Sequence, residues 1–234
     1  LFKKIIDKTE AELFIGGYDR NTKAVHRNFQ GEYNTIFHFD TFTNLKNVYH
    51  KMKLIPFGEG LPFGPFNQFL SKLVTKVSYF AEGEKYTLFR TKNDTPFIAH
   101  ICYEILFSWF TRDYLNAQKV QPEFIINLTN DSWYGDTNEP YQHLYLAHWR
   151  ALEFNIPIVR MTNTGITSVL YPDGSESERT KIGVKEVLDI ELKTTARIAT
   201  PFQRYGFLIT FLFWFALTFI VFLFEKLRSK RSLP

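Results

Sequence analysis

Between Phe207 and Phe224 the sequence carries no charged side chain, and apart from the Trp214 indole its only polar side chains are Thr210 and Thr218. As a helix rising ~1.5 Å per residue this stretch is ~27 Å long, enough to cross the hydrocarbon of a bilayer with little tilt. A helix buried in a protein core normally keeps a polar face, and this one has none, which predicts a transmembrane helix. Lys226, Arg228, Lys230 and Arg231 follow at once and argue for a cytoplasmic C-terminus, although Lys193, Arg197 and Arg204 stand before the helix. The folded part of the chain is then expected on the outer side of the membrane.

What precedes the helix is long enough, in a chain of 234 residues, for one sizeable domain. Aromatic residues make up 18% of the chain, 25 of them phenylalanine, a load that suits a large core, a lipid-facing surface or both. The formal net charge is +4, and the basic residues are dispersed except at the C-terminus, so no basic stripe argues for nucleic acid. The single cysteine excludes an internal disulfide and says nothing of redox compartment. The sequence opens on Leu1, without a signal-peptide pattern, and is expected to be an N-terminally truncated product.

Apolar periodicity predicts a helix ending near Ala11, strands over Leu13–Gly17 and Glu32–Asp40, a bend at Thr41–Asn44, and a shaped Pro/Gly loop over Val48–Gly60. Phe66, Phe69, Leu70, Leu73, Val74, Val77 and Phe80 recur at helical spacing opposite Asn67, Gln68, Ser71, Lys72, Thr75 and Lys76. They predict an amphipathic helix, packed on the core or dipping into lipid. A hairpin follows (Tyr86–Arg90 with Phe97–Ile101), then a helix over Ile105–Asn116, a strand over Phe124–Leu128 and a helix over Tyr141–Phe154. Strands over Ile156–Met161, Ile166–Leu170 and Val184–Leu192 complete an α/β sandwich.

Three separated stretches are richer in reactive side chains than a scaffold requires: Lys51 with Glu59; Cys102 with Glu104; and Asn130, Asp131, Trp133 and Asp136. Cys102 sits where a strand-like run meets a helical one, a junction that can aim a thiol while the helix N-terminus favours its thiolate. A lone cysteine is more often a buried hydrophobe, Lys51 a solvated lysine, Glu59 a loop ion-pair partner and Glu104 a first-turn carboxylate. His100 shares a strand face with Cys102, but at ~6.6 Å it is beyond hydrogen-bond reach. His143 and His148, five apart, do not share a helix face and make a poor metal pair. No metal or cofactor is expected.

The ordered motifs lift Cys102 above that bland reading. Tyr49-His50-Lys51-Met52-Lys53-Leu54-Ile55-Pro56-Phe57-Gly58-Glu59 resembles the lysine motif of the apolipoprotein N-acyltransferases, the membrane branch of the nitrilase superfamily. Ile101-Cys102-Tyr103-Glu104 resembles their nucleophile motif, and Asn130-Asp131-Ser132-Trp133-Tyr134-Gly135-Asp136 their Asn-Asp-x-Trp-(Phe/Tyr)-Gly loop. Gln142-His143, Arg150-Ala151-Leu152-Glu153 and Arg160 to Thr167 are similar to the segments that follow, in family order, and Tyr33-Asn34 to a further short motif.

The resemblance implies a nitrilase-like α-β-β-α sandwich, N-terminally incomplete, over residues 1–200. The membrane helix and its lead-in follow at 201–225, and a basic cytoplasmic tail at 226–234. It implies Cys102 as nucleophile and Lys51 as the catalytic lysine, with Glu59, Tyr103, Glu104 and Asn34 shaping the site. The implied reaction moves an acyl chain from a phospholipid, through a cysteine thioester, to the N-terminal amine of a diacylglyceryl-cysteine lipoprotein. Its implied setting is the bacterial inner membrane, with the catalytic domain on the periplasmic side. Leu61–Phe80 becomes a candidate for handling acyl chains. The family's general-base glutamate, which follows an early strand, has no counterpart here, since Glu10 and Glu12 precede the strand. A missing N-terminal part, fused or separate, is therefore expected to carry it, and low turnover is expected without it. The alternatives are a nitrilase-type amide hydrolase using the same cysteine, or a catalytically incomplete membrane-anchored subunit.

Overall fold

The computed structural model describes residues 2–20, 31–74, 77–135, 137–194 and 196–231. Two sheets face each other. The first is antiparallel, in the order β1 (Leu13–Arg20), β2 (Glu32–Phe39), β3 (Leu45–His50). The second has five strands in chain order: β4 (Phe89–Arg90), β5 (Pro96–Ile101), β6 (Phe124–Thr129), β7 (Ile158–Thr162) and β8 (Ser168–Leu170). Its centre is parallel, β5 with β6 and β6 with β7, and its two edges are antiparallel. All six residues of β5 are buried, as expected of a central strand covered on both faces.

Alternation decides what each strand offers its partner sheet. Phe14 of β1 stacks on His38 of β2 and meets Phe97 of β5 edge-on, which ties the two sheets together. Ile36 and Tyr49 from the first sheet join Phe97, Ala99 and Ile101 from the second in one apolar core. The opposite face of the second sheet lies under α3 (Ser108–Asn116) and α4 (Glu139–Phe154), through Phe110, Tyr114, Leu144, Ala147 and Phe154. Asn155 ends α4 in the left-handed region at φ 48°, a conformation asparagine tolerates at a helix C-terminus. At the chain's start α1 (Phe2–Thr9) buries Ile6.

Several expectations are corrected. Val48–His50, read as loop, belongs to β3, and β1 runs on to Arg20. The helix expected over 66–80 shrinks to a 3-10 turn at Gly64–Phe66 and α2 (Asn67–Leu70), and Thr75 and Lys76 lie outside the described residues. Phe66, Phe69 and Leu73 are each about two-thirds exposed, so the periodic apolar face finds no core to pack on. The strand expected over Val184–Leu192 has no ladder: Leu188, Ile190 and Leu192 alternate as half-buried residues along an irregular segment. Ile105–Asn116 is two pieces, a 3-10 turn at Cys102–Leu106 and then α3.

After α5 (Pro201–Tyr205) comes α6 (Leu208–Arg231). The stretch Leu208–Lys226 has a mean hydropathy of 2.3 and no part of it is buried, making it long and apolar enough to cross a membrane.

Candidate active site

Cys102 is the first residue after β5, and its backbone is left-handed, at φ 50°. A side chain there costs about 1–2 kcal/mol of backbone strain, so the surroundings must hold it. The strain turns the chain abruptly off the strand. It sets the thiol in the wall of a cavity of about 410 Å³ that is also lined by Asn34, Glu59, Ile101, Leu128, Asn130, Trp133 and Met161.

Lys51 follows β3. Its N–H donates to the Asn34 carbonyl (2.8 Å), which continues the strand pairing by one residue and turns the side chain inward. The ammonium is fully buried and lies 2.5 Å from Glu59 Oε2. The Pro56–Gly60 turn brings Glu59 back over Lys51, with the Ile55 N–H donating to Glu59 Oε2 (2.9 Å) and Asn34 Nδ2 to Oε1 (3.2 Å). Asn34, Glu59 and Lys51 are thus one hydrogen-bonded unit beside the cysteine.

Glu104 knots this unit to the nucleophile strand. Fully buried, it accepts from the N–H groups of Met52 (2.6 Å), Lys53 (3.0 Å) and Ile101 (2.8 Å) and from the Tyr49 hydroxyl (2.9 Å). The lysine loop and the cysteine turn are therefore held by one carboxylate. Burial pushes its acid up to about 7, against the pull of those N–H donors and the Lys51 charge. Tyr103 is not brought to the cysteine's cavity. It packs edge-on against Phe107 and lines a second hollow of about 210 Å³ with Lys53, Leu61 and Trp109.

The helix-dipole argument for the thiolate does not survive, because Cys102 opens a five-residue 3-10 turn and not an α-helix. Burial pushes the Cys102 thiol up, while the Lys51 charge pulls it down and Glu59 and Asp131 push it further up. His100 is no base for it. The ring faces away to Thr111 Oγ1 (3.2 Å), and burial, with Arg150 adding, holds it down to about 3.

The third stretch divides. Asn130 and Trp133 line the cavity, Asp131 is buried behind it against Arg160 (2.9 Å), and Asp136 lies outside the described residues. His143 sits near Asp131 (3.5 Å) and Glu139 (3.2 Å), and His148 pairs with Glu176 (3.4 Å). Asp131, Glu139 and His143 could together offer ligand atoms, but Arg160 already supplies a cation to Asp131. Asn127 and Arg160, fully buried beneath Cys102, were not singled out from the sequence. The signal was an amide inside the apolar strand Phe124-Ile125-Ile126-Asn127-Leu128.

The profile of the Carbon-nitrogen hydrolase family matches residues 2–199. The chain is 38% identical over 176 residues to an apolipoprotein N-acyltransferase of Bdellovibrio bacteriovorus, covering 73% of this chain and 31% of that protein. It is 36% identical over 159 residues to that of Rhodopseudomonas palustris (67% and 29%) and 32% identical over 204 residues to that of Rickettsia prowazekii (86% and 39%). The chain therefore spans about a third of the length of these curated relatives. Among solved structures it resembles an amidase from Nesterenkonia sp., with a TM-score of 0.54 at 15% identity over 77% of this chain and 61% of that one. A form of that amidase with the acetamide moiety of fluoroacetamide added covalently at its active-site cysteine gives 0.52 over the same shares, also at 15% identity. At that identity the likeness speaks for the fold alone.

Proposed function

The chain belongs to the carbon-nitrogen hydrolase family, and from that premise we propose that it takes part in N-acylation of lipoproteins, with Cys102 as the nucleophile. The observation that carries this reading is the site itself. A strained cysteine opens on a cavity walled by Ile101, Leu128 and Met161, next to a buried lysine–glutamate pair. The similarity to proteins named apolipoprotein N-acyltransferase supports it.

In the first step the Cys102 sulfur attacks a phospholipid ester carbonyl. The C–S bond forms, the carbon–glycerol oxygen bond breaks, and the thiol proton ends on that oxygen, giving a thioester and a lysophospholipid. In the second, the α-amine of a diacylglyceryl-cysteine attacks the thioester. The C–N bond forms, the C–S bond breaks, and a proton from the amine restores the thiol. Lys51 supplies positive charge to the thiolate and to the oxyanion of each tetrahedral intermediate. Glu59 and Asn34 hold Lys51 in place, Glu104 fixes its loop to the cysteine strand, and Tyr103 shapes the neighbouring hollow.

The thiol proton needs an acceptor. Among the described residues, the carboxylates whose charge reaches Cys102 are each engaged by a cation, Glu59 by Lys51 and Asp131 by Arg160. Full turnover therefore calls for a further carboxylate, supplied by an N-terminal part, fused or separate, and residues 1–234 alone should turn over slowly. We place the unit of residues 1–200 on the periplasmic side of the bacterial inner membrane. The segment 201–225 anchors it there, and 226–234 is a cytoplasmic tail. Both substrates are lipid-anchored, so anchoring raises their local concentration.

The test is intact-protein mass spectrometry of the full chain, with and without the N-terminal part, after incubation with phospholipid. An acyl adduct mapping to Cys102 is expected, lost in Cys102→Ala and at least ~10-fold slower to form in Lys51→Met. An equal adduct in Cys102→Ala would remove Cys102 from the chemistry.

A further inference from the structure

Behind the cysteine, on the face of the central sheet turned toward α4, lies a chain of polar groups in which Asn127 and Arg160 are fully buried. Asn127 and Arg160 are register partners on β6 and β7. Asn127 Nδ2 donates to the carbonyls of His100 and Cys102 (3.4 Å each), the two that flank the strand's break. Arg160 Nη1 donates to Asn127 Oδ1 (2.9 Å) and to Thr129 Oγ1 (3.3 Å), and Nη2 donates to Asp131 Oδ2 (2.9 Å). Asp131 in turn begins the turn that carries Trp133 into the cavity wall, and its N–H donates to Asn163 Oδ1 (3.2 Å).

We propose that Arg160 is a positioning residue for the nucleophile, holding the left-handed Cys102 backbone through Asn127 and the Asn130–Trp133 wall through Asp131. The inference rests on reading Cys102 as the nucleophile. Stability alone is a poor reason for this arginine. Burying a guanidinium is costly before its partners repay it, and well-packed apolar residues often replace buried ion pairs without loss. What an apolar residue cannot do is join the Asn127 amide on β6 and the Asp131 carboxylate of the turn that follows it in one plane, as the arginine fork does. The glycine at 165 fits the same device, since a Cβ there would lie 1.9 Å from Asp131 Oδ2. The carboxylate occupies the space of that missing side chain. A backbone held against its own preference, as at Cys102, relaxes when the carbonyl holding it is released.

Because Cys102 is the only cysteine, iodoacetamide reports on it alone. The full chain in detergent is alkylated across pH 6–10 as parent, Asn127→Ala, Arg160→Met, Arg160→Lys and Asn127→Ala/Arg160→Met, with circular dichroism establishing that each is folded. The expected result is a midpoint displaced by at least about half a pH unit, in the same direction, in Asn127→Ala and Arg160→Met, and no further in the double variant. Arg160→Lys keeps the charge and loses the fork. It is expected to lie between parent and Arg160→Met, and it carries the test if Arg160→Met does not fold. A purely structural arginine lowers Tm and leaves the midpoint where it is. Unmoved midpoints in folded variants, or fully additive shifts in the double variant, overturn the proposal. Alkylation uses no lipid, so a parent that alkylates normally but takes no acyl group from phospholipid counts against the proposed function and not against this positioning role.

Discussion

Glu104 and His100 are fully buried two residues either side of Cys102, and they give the fold opposite responses to pH. Glu104, raised by burial to about 7, binds more protons in the native state than in the unfolded chain between its ordinary value and 7. Stability therefore falls as pH rises through that window and levels off above it. His100, lowered by burial to about 3, binds more protons when unfolded, so stability rises with pH from about 3 to the ordinary histidine value. Glu104→Gln removes only the first response. The amide also leaves one of the four donors without an acceptor, a loss of about 1–3 kcal/mol at a buried site. The variant should melt below the parent, with the gap narrowing as pH climbs from about 4.5 to 7. Parallel Tm curves over that range would contradict the raised carboxyl. Residue identities of this kind were partly legible: Lys51, Glu59 and Cys102 stand out by type and motif. The protonation environment of Glu104 was not, because it comes from burial and from donors at Met52, Lys53 and Ile101 that only the fold assembles.

At the scale of elements, sequence pattern served best where burial is two-sided or the face is long. β5, β6 and α4 fall within a residue or two of their expected bounds. It failed where a periodic apolar face has nothing to bury against, as at Phe66 and Phe69, and where alternation meets no neighbouring strand, as at Leu188, Ile190 and Leu192. It was silent on α5, a five-residue helix held by polar contacts. Gln203, fully buried, exchanges hydrogen bonds with Asn116 on α3 and donates to Gln121 (3.0 Å). The Arg197 guanidinium spans Gln121, Gln203 and the carbonyls of Phe154 and Asn155 at the end of α4. Burial lowers it to about 10. Gln203→Leu takes an acceptor from the half-buried Arg197 guanidinium and a donor from the side-chain oxygens of Asn116 and Gln121, and should cost about 1–3 kcal/mol. Hydrogen exchange should rise first at the ends of α3 and α4 and in residues 197–206, while β5 and β6 keep their protection. Uniform loss of protection across the domain would mean α5 is part of the core and not a clamp on it.

For the whole molecule, the two-sheet architecture is the nitrilase-superfamily fold that the motifs implied. It needed the motifs, because strand order and the pairing of two separate sheets cannot be read from periodicity. The apolar helix was the most legible feature of all, its 0% burial matching its lack of a polar face. Ending the chain after Tyr205 should move the protein from the membrane pellet, resistant to alkaline carbonate, into the soluble fraction. A truncated chain that stays in the pellet would assign membrane attachment to the exposed aromatic residues around α2 instead. The route by which that helix joins the body has a mechanical corollary. α6 continues from α5, and α5 rests on α3 and α4, on the far side of the five-stranded sheet from the cavity. A tilt or tug on α6 would load that helical layer, and because α3 and α4 also pack on the Cys102–Leu106 turn, with Arg150 donating to the Leu106 carbonyl (2.8 Å), the load would reach the cysteine through the turn. Strain in a membrane anchor of this kind would thus be felt at the cysteine through helix packing.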